Sequence, residues 1–366
     1  MEIKPFYVME ILERAKELER KGRKIIHFEV GEPDLPVPRK VKEEALKALN
    51  RVEMKYTESA GILPLREKIA EYYYETYNVG ISPEQVIVTP GSSPALLAVL
   101  KVVGEKFSEI AYTDPGYPCY KNMINFLKIK GRRVVTSAKD GFEIPISEME
   151  SPAMIINSPA NPTGGILSRE TIEKLSEKCF LISDEIYHGL TYGEKATSVL
   201  EVTKECCVVG GFSKFFLMTG WRVGWVVVPK WMVKEVTAIL QNIVISPPTV
   251  SQIAALKCFD SDVLEELKEN VKIFEKRRNL MLEGVQELGF DVPVEPKGAF
   301  YVYADSSRFS DDSYSFVLDI LENTGVALTP GIDFGENGTN KYVRFSYCTD
   351  ENKIIEGLER LYRYLR

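Results

Sequence analysis

From Gly80 onward the chain repeats one pattern that few architectures satisfy: a short β-branched run, a turn rich in glycine, proline or serine, and an amphipathic helical segment. The runs QVIVT (85–89), EIAYT (109–113), RRVVT (132–136), AMIIN (153–157), FLISDE (180–185), CCVVG (206–210) and RVGWVVV (222–228) are strand candidates, and segments such as 169–178 between them have helical spacing. Such alternation predicts an α/β layered domain around a mainly parallel sheet. After the first run, Pro94 just inside a helix start predicts Ser92 or Ser93 as its N-cap.

The flanks read differently. Apolar residues at Val8, Ile11, Leu12, Ala15 and Leu18 give a helical stripe ending at Gly22. A short strand, KIIHFEV, then enters the proline-punctuated loop GEPDLPVP, and helices follow over 39–49 and 63–77. A long charged helix over 262–288 carries the chain away from the sheet. Strands 299–305 and 341–347, a helix over 313–323 and a last helix from Asp350 predict a smaller α+β unit. The expected division is an N-terminal arm and part of the small domain over 1–38, a large domain over 39–275 and the small C-terminal domain over 276–366.

The 366 residues suffice for two such domains. A net charge of −7 offers nucleic acid and anionic lipid no general attraction, so a bound anion needs a local site. Six cysteines without CxxC spacing and two histidines supply no pattern for zinc. With no signal-peptide core and no membrane-length apolar run, a cytoplasmic protein with reduced thiols is expected.

In an open parallel sheet, ligands bind beyond the carboxyl ends of the strands, so the polar residues there are the ones to collect. Lys214 lies in GFSKFFLMTGWR among Phe212, Phe215, Phe216, Leu217 and Met218. It reads either as a desolvated amine with a lowered pKa, fit to attack a carbonyl, or as a surface lysine whose stem covers apolar area. Ser92 and Ser93 open a helix, where N–H groups bind phosphate, or one of them only caps it. Arg222 is a bidentate partner for the same anion or half of a salt bridge. Asp184 ends an apolar strand and needs a cationic partner, unless it caps the next turn. Tyr187 can donate to a phenolate-type oxygen, and Asn161 sits in the stiff loop SPANPTGG. Tyr117, in DPGYPCY, stacks on a planar ligand or simply packs. Arg344, alone in the apolar strand YVRFSY, calls for a substrate carboxylate or an internal acid. Jointly these residues offer an amine, a carboxylate for a ring nitrogen, a phosphate cradle and a carboxylate clamp, the set that pyridoxal phosphate with an amino acid uses.

The strings GEPDLPVP, YTESAGILPLRE, TPGSSPAL, DPGYPCY, NSPANPTGG, SDEIYHGLTY, GFSKFFLMTGWRVGW, GAFYVY and YVRFSY, in this order, resemble the class I/II aminotransferases, fold-type I pyridoxal-phosphate enzymes of the aspartate aminotransferase kind. The resemblance runs nearly end to end. It implies that Lys214 is the Schiff-base lysine and proton shuttle, Asp184 the ring-nitrogen partner, Tyr187 and Asn161 the partners of the ring oxygen, and Tyr117 the stacking aromatic. Ser92, Ser93 and Arg222 match phosphate contacts, and Arg344, with Gly31 and Asn161 beside it, matches the clamp on the substrate α-carboxylate. Tyr56 matches a tyrosine that reaches the neighbouring subunit's phosphate, implying a homodimer with shared sites. Gly211 departs from the pattern, since many relatives carry serine there.

The implied activity is ping-pong transfer of an amino group between an L-amino acid and a 2-oxo acid, with 2-oxoglutarate as the expected acceptor. The alternative on the same fold is a C–S β-lyase or related pyridoxal-phosphate lyase. No residue stands out as a partner for a substrate side-chain carboxylate. No GxGxxG follows a strand, which disfavours a nicotinamide enzyme.

Overall fold

The computed structural model describes residues 5–51 and 53–366; residues 1–4, the start of the expected arm, and residue 52 lie outside the described part. Seven strands form one sheet in the order Val86–Thr89, Gly224–Val227, Cys206–Gly211, Phe180–Asp184, Ala153–Asn157, Glu109–Asp114 and Lys130–Val135. Gly224–Val227 runs antiparallel to both of its neighbours, and the other pairs are parallel.

Period-two alternation sends the strand side chains into two separate cores. Phe180, Ile182, Cys207 and Val209 join one with Val99 and Val103 of the helix Ser92–Phe107 and Leu240 of Val233–Val244. Leu181, Cys206 and Val208 join the other with Ile69 of Leu63–Tyr77 and Leu175 of Arg169–Lys178. Both faces of the sheet are therefore covered, giving three layers. Full burial of one such side chain contributes about 1.5–3 kcal/mol, which leaves the strand ends as the place for polar chemistry.

The helix Ser261–Glu287 leads to a smaller antiparallel sheet in the order Thr329–Pro330, Tyr342–Ser346, Tyr301–Asp305. The helices Ser313–Thr324 and Glu351–Leu365 pack beside it, begun by Asp312 and Asp350, whose carboxylates accept first-turn N–H groups. The N-terminal helix Tyr7–Arg20 joins this unit, held by Asp333, which accepts from the N–H groups of Tyr7 (2.9 Å) and Val8 (3.3 Å).

Three expectations are corrected. KIIHFEV contributes only Ile26–His27 to a ladder, parallel to Val326–Ala327. Beyond it the backbone crosses between elements: the Phe28 carbonyl accepts from Ser346 N, and the Glu29 carbonyl accepts from Thr329 and Arg344 side chains. The N-cap of Ser92–Phe107 is Gly91 at φ 81°, so both serines lie inside the first turn. The left-handed φ, not a side-chain acceptor, lets the strand break directly into the helix. The helices Pro118–Phe126 and Thr249–Ala255 fall where the sequence predicts no helix.

All six cysteines are unpaired, and no helix among the described residues is long and apolar enough to cross a membrane.

Candidate active site

The carboxyl ends of the parallel strands converge on one edge of the large sheet. Because Gly224–Val227 runs the opposite way, its amino end reaches the same edge and delivers Arg222 there. The guanidinium lies against Gly91: a Cβ on that residue would stand 2.4 Å from Arg222 Nη2, and one on Gly224 would stand 3.1 Å from Ser92 N. Glycine at both positions lets a cation approach the free N–H groups of a 16-residue helix. Arg222 is anchored by donating from Nη1 to the Thr219 carbonyl at 2.9 Å. Ser92 is half-buried and faces the cavity, whereas Ser93 is exposed and does not line it.

Lys214 follows the strand Cys206–Gly211 in a turn closed by Met218 N donating to Phe212 O at 2.9 Å. Phe212, Phe215 and Phe216 are all buried; Phe212 and Phe216 pack with Trp225 and Phe259, while Phe215 meets Phe216. These flanks anchor the turn and point into the core; they do not wrap the amine. What desolvates the amine is the cavity wall: Nζ donates to the Gly31 carbonyl at 2.7 Å and lies 5.6 Å from the Phe300 ring centre. Burial pushes its pKa down, and the nearby Arg344 and Arg222 charges push the same way against Cys348 and Glu32.

Asp184 ends the strand Phe180–Asp184 and is 3% exposed. Its carboxylate accepts from Tyr120 Oη at 2.7 Å and Ile186 N at 3.2 Å. No cation among the described residues lies within ion-pair distance, and burial raises its pKa to about 6. One strand over, Asn157 donates to the Asp184 carbonyl at 2.9 Å and accepts from Asn161 N at 2.8 Å, which ties the two loops together. Tyr187, three residues beyond Asp184, has its Oη 2.9 Å from Tyr301 Oη, within hydrogen-bond distance.

Arg344 is the converse of Asp184. It is 5% exposed and surrounded by neutral acceptors: Asn161 Oδ1 at 2.8 Å, the Glu29 carbonyl at 2.6 Å and Thr329 Oγ1 at 3.1 Å. Its ring neighbours are Tyr301 and Phe334, 4.1 and 4.9 Å from Cζ, and its buried Nε has no partner. No acid among the described residues forms an ion pair with it. A buried guanidinium short of an anion calls for one from outside.

One cavity of about 280 Å³ brings together Gly31, Ser92, Tyr117, Asn161, Asp184, Tyr187, Lys214 and Arg344. Tyr117 lies at its rim with Phe6 stacked on it, ring centres 6.4 Å apart. A wider groove of about 1010 Å³ opens beside it across Tyr117 and Phe334. Tyr56 does not reach the cavity of its own chain and is 79% exposed. Tyr120 and Tyr301 line the cavity without having been singled out. Tyr120 stands one helical turn after Tyr117, a spacing that would have put it on the same side. Tyr301 was visible only as part of GAFYVY.

The family model of aminotransferase class I and II matches residues 23–361. The chain belongs to that family. The aminotransferase is 40% identical to the (5-formylfuran-3-yl)methyl phosphate transaminase of Methanocaldococcus jannaschii, over 98% of this chain and 96% of that one. It is 34% identical to the valine–pyruvate aminotransferase of Mycobacterium tuberculosis, over 99% and 97%. Its structure superposes on the aspartate aminotransferase of Thermus thermophilus with maleate at a TM-score of 0.93, with 32% identity over 99% of this chain and 97% of that one. The aminotransferase thus has the aspartate aminotransferase fold, whose enzymes use pyridoxal phosphate. The donor set fits that cofactor: a buried carboxylate without a cation, a glycine-lined helix start backed by a guanidinium, and an amine of lowered pKa.

Proposed function

We propose that this aminotransferase moves an amino group between an L-amino acid and a 2-oxo acid, 2-oxoglutarate being the acceptor, by a ping-pong route. One observation carries the reading. A buried carboxylate lacking a cation and a buried guanidinium lacking an anion line the same cavity as a lysine of lowered pKa. An amino acid on a pyridinium cofactor supplies both missing charges.

Pyridoxal phosphate, when bound, supplies an electron sink that makes the substrate Cα–H acidic. In this reading Asp184 holds the ring nitrogen protonated, and Tyr120 and Ile186 N fix the carboxylate that does so. Tyr187 and Asn161 donate to the ring oxygen, and Tyr117 covers the ring face. Ser92, Arg222 and the first-turn N–H groups, that of Ser93 among them, would hold the phosphate, while the Ser93 side chain lies outside the cavity lining. Arg344 grips the α-carboxylate, with the Gly31 backbone beside it. This would orient the Cα–H toward Lys214 Nζ, which must be neutral to take the proton and then return it two bonds away, on the cofactor carbon beyond the amino nitrogen. In the division proposed here, 39–275 carries the cofactor and 276–366 with the arm 1–38 carries Arg344 and the cover over the site. Tyr56 belongs to the neighbouring subunit's phosphate site, which makes the working form a homodimer; its exposure and that of Met54, Ile243 and Ile245 support this. A cytoplasmic setting suits the unpaired cysteines.

Among the described residues of one chain, the cavity holds no cation beyond Lys214 and Arg344. The chain by itself thus offers a substrate side chain an apolar wall of Phe6, Val8, Met9 and Phe334. A panel of amino donors assayed against 2-oxoglutarate, with pyruvate as second acceptor, tests the reading. Apolar and aromatic donors are expected to exceed aspartate in kcat/KM. Release of pyruvate and ammonia from a cysteine conjugate without any acceptor would replace the transaminase by a lyase.

Arg344→Gln is expected to lower kcat/KM for every amino acid by on the order of 2–5 kcal/mol, about 30-fold to several thousand-fold. Cofactor content should stay near that of the wild type, because Arg344 contacts the substrate end. A normal KM in this variant would contradict the clamp.

A further inference from the structure

We propose that Tyr301 is a further positioning residue: its hydroxyl donates to Tyr187 Oη and thereby commits the Tyr187 proton to the cofactor, while its ring supports Arg344. The inference rests on the pyridoxal-phosphate reading above and adds a residue to it.

Register explains how one side chain reaches both ends of the site. In the small sheet Arg344 pairs with Tyr303, so Tyr301, two residues before Tyr303, is a diagonal neighbour of Arg344 on the same face. The ring centre lies 4.1 Å from Arg344 Cζ, a stacking distance for guanidinium on an aromatic face. The far end of the ring reaches Gly31 and Tyr187. A Cβ on Gly31 would stand 1.8 Å from Tyr301 Oη, so only glycine admits the hydroxyl there, and the same Gly31 offers its carbonyl to Lys214 Nζ.

The direction of the Tyr301–Tyr187 bond follows from where each proton can go. The two oxygens are 2.9 Å apart, and both side chains are buried. Tyr301 Oη lies against Gly31, and among the described residues the one hydrogen bond it makes is with Tyr187 Oη. If Tyr187 donated instead, the Tyr301 proton would find no acceptor among the described residues, at a cost comparable to a lost hydrogen bond. With Tyr301 donating, the Tyr187 proton is left for a ligand in the cavity. A phenol that accepts a hydrogen bond is also the stronger donor, because linked hydrogen bonds polarise one another. Tyr301 thereby strengthens the donation from Tyr187 that holds the cofactor's ring oxygen as an anion.

The test is the pH titration of the visible absorption band of the cofactor-loaded protein, read without turnover. Tyr301→Phe keeps the ring under Arg344 and removes the donor. The ring oxygen then loses anionic stabilisation, protonation becomes easier, and the midpoint of the band should move to higher pH by about 0.5–1 unit. The other ionisable groups facing the cavity are Lys214, Asp184, Arg344, Asp333, Glu29, Tyr117 and Tyr120; phenylalanine keeps the ring contact with Arg344, and the lost hydroxyl bonds to none of them. In a Tyr187→Phe background the added Tyr301→Phe change should shift the midpoint by much less, since its path is already cut. Tyr301→Leu should in addition raise KM for the amino donor, whereas Tyr301→Phe should leave it within about two-fold. An unmoved or acid-shifted midpoint in Tyr301→Phe, or the same shift in both backgrounds, overturns the relay. A wild type without a visible band overturns the cofactor reading, and the relay with it.

Discussion

Lys214→Ala is expected to abolish transamination, by on the order of 10⁴-fold or more, while leaving a folded protein that still binds pyridoxal phosphate. The loss is large because one atom, Nζ, is asked both to hold the cofactor and to move the proton. The fold should tolerate the change, since the turn is anchored by Phe212, Phe215 and Phe216 and not by the lysine. What disappears is one hydrogen bond to the Gly31 carbonyl and a desolvated amine. Lys214 has a folded pKa below its unfolded value, so as pH falls through that lowered value the wild-type apoprotein loses stability that the alanine variant keeps. Thermal unfolding of the two apoproteins at neutral pH should therefore differ little, or favour the variant. Cofactor content by absorbance after gel filtration, alongside donor turnover, checks both halves. Turnover close to wild type would remove Lys214 from the chemistry.

Asp184→Asn is expected to separate stability from function. In the apoprotein, burial raises the Asp184 pKa from 3.8 to about 6. The folded state therefore holds its proton more tightly than the unfolded state, and stability contributed by the neutral form is lost as pH rises from about 4 through about 6. The loss is on the order of 3 kcal/mol once both states are ionised. Asparagine cannot ionise, and its oxygen can still accept from Ile186 N. Above pH 7 the apo variant should be the more stable protein, and near pH 4 the two should converge. With the cofactor bound the order should reverse, because the cation that the carboxylate lacks has then arrived. Turnover should fall on the order of a thousand-fold, the size expected when a fixed charge opposite a developing one is removed. Thermal unfolding of apo and holo forms at pH 4 and pH 8 reads the crossing. A variant less stable than wild type as apoprotein at pH 8 would show that Asp184 already has an internal partner.

Much of this site was legible because its residues sit at strand ends, and strand ends follow from β-branched runs closed by turn residues. FLISD and AMIIN therefore located Asp184 and Asn157 directly, whereas Arg222 starts its strand and reaches the same edge only because Gly224–Val227 runs antiparallel, a direction that the run RVGWVVV does not encode. Ser92 and Ser93 were rightly put at a helix start, but the cap is Gly91, because a left-handed φ leaves no trace in hydropathy. The apolar flanks of Lys214 suggested a desolvated amine, and burial does lower its pKa; what the flanks left out is Gly31 and Phe300, distant in sequence, which stand beside Nζ. Tyr301 escaped notice for a related reason. Its importance lies in a diagonal register with Arg344 and a contact with Tyr187, and register between distant strands is not carried by either strand alone. The strand around His27 was read too long because the Phe28 carbonyl turns to the backbone of Ser346 and the Glu29 carbonyl to the side chains of Thr329 and Arg344, a tertiary effect that local propensity does not record.

The most direct measurement is a half-reaction on purified wild-type protein loaded with pyridoxal phosphate. Adding an L-amino acid alone should discharge the visible band and release one equivalent of 2-oxo acid per site, and a 2-oxo acid added afterwards should restore the band. A protein that takes up no cofactor, or one that releases oxo acid and ammonia continuously with no acceptor present, would contradict it.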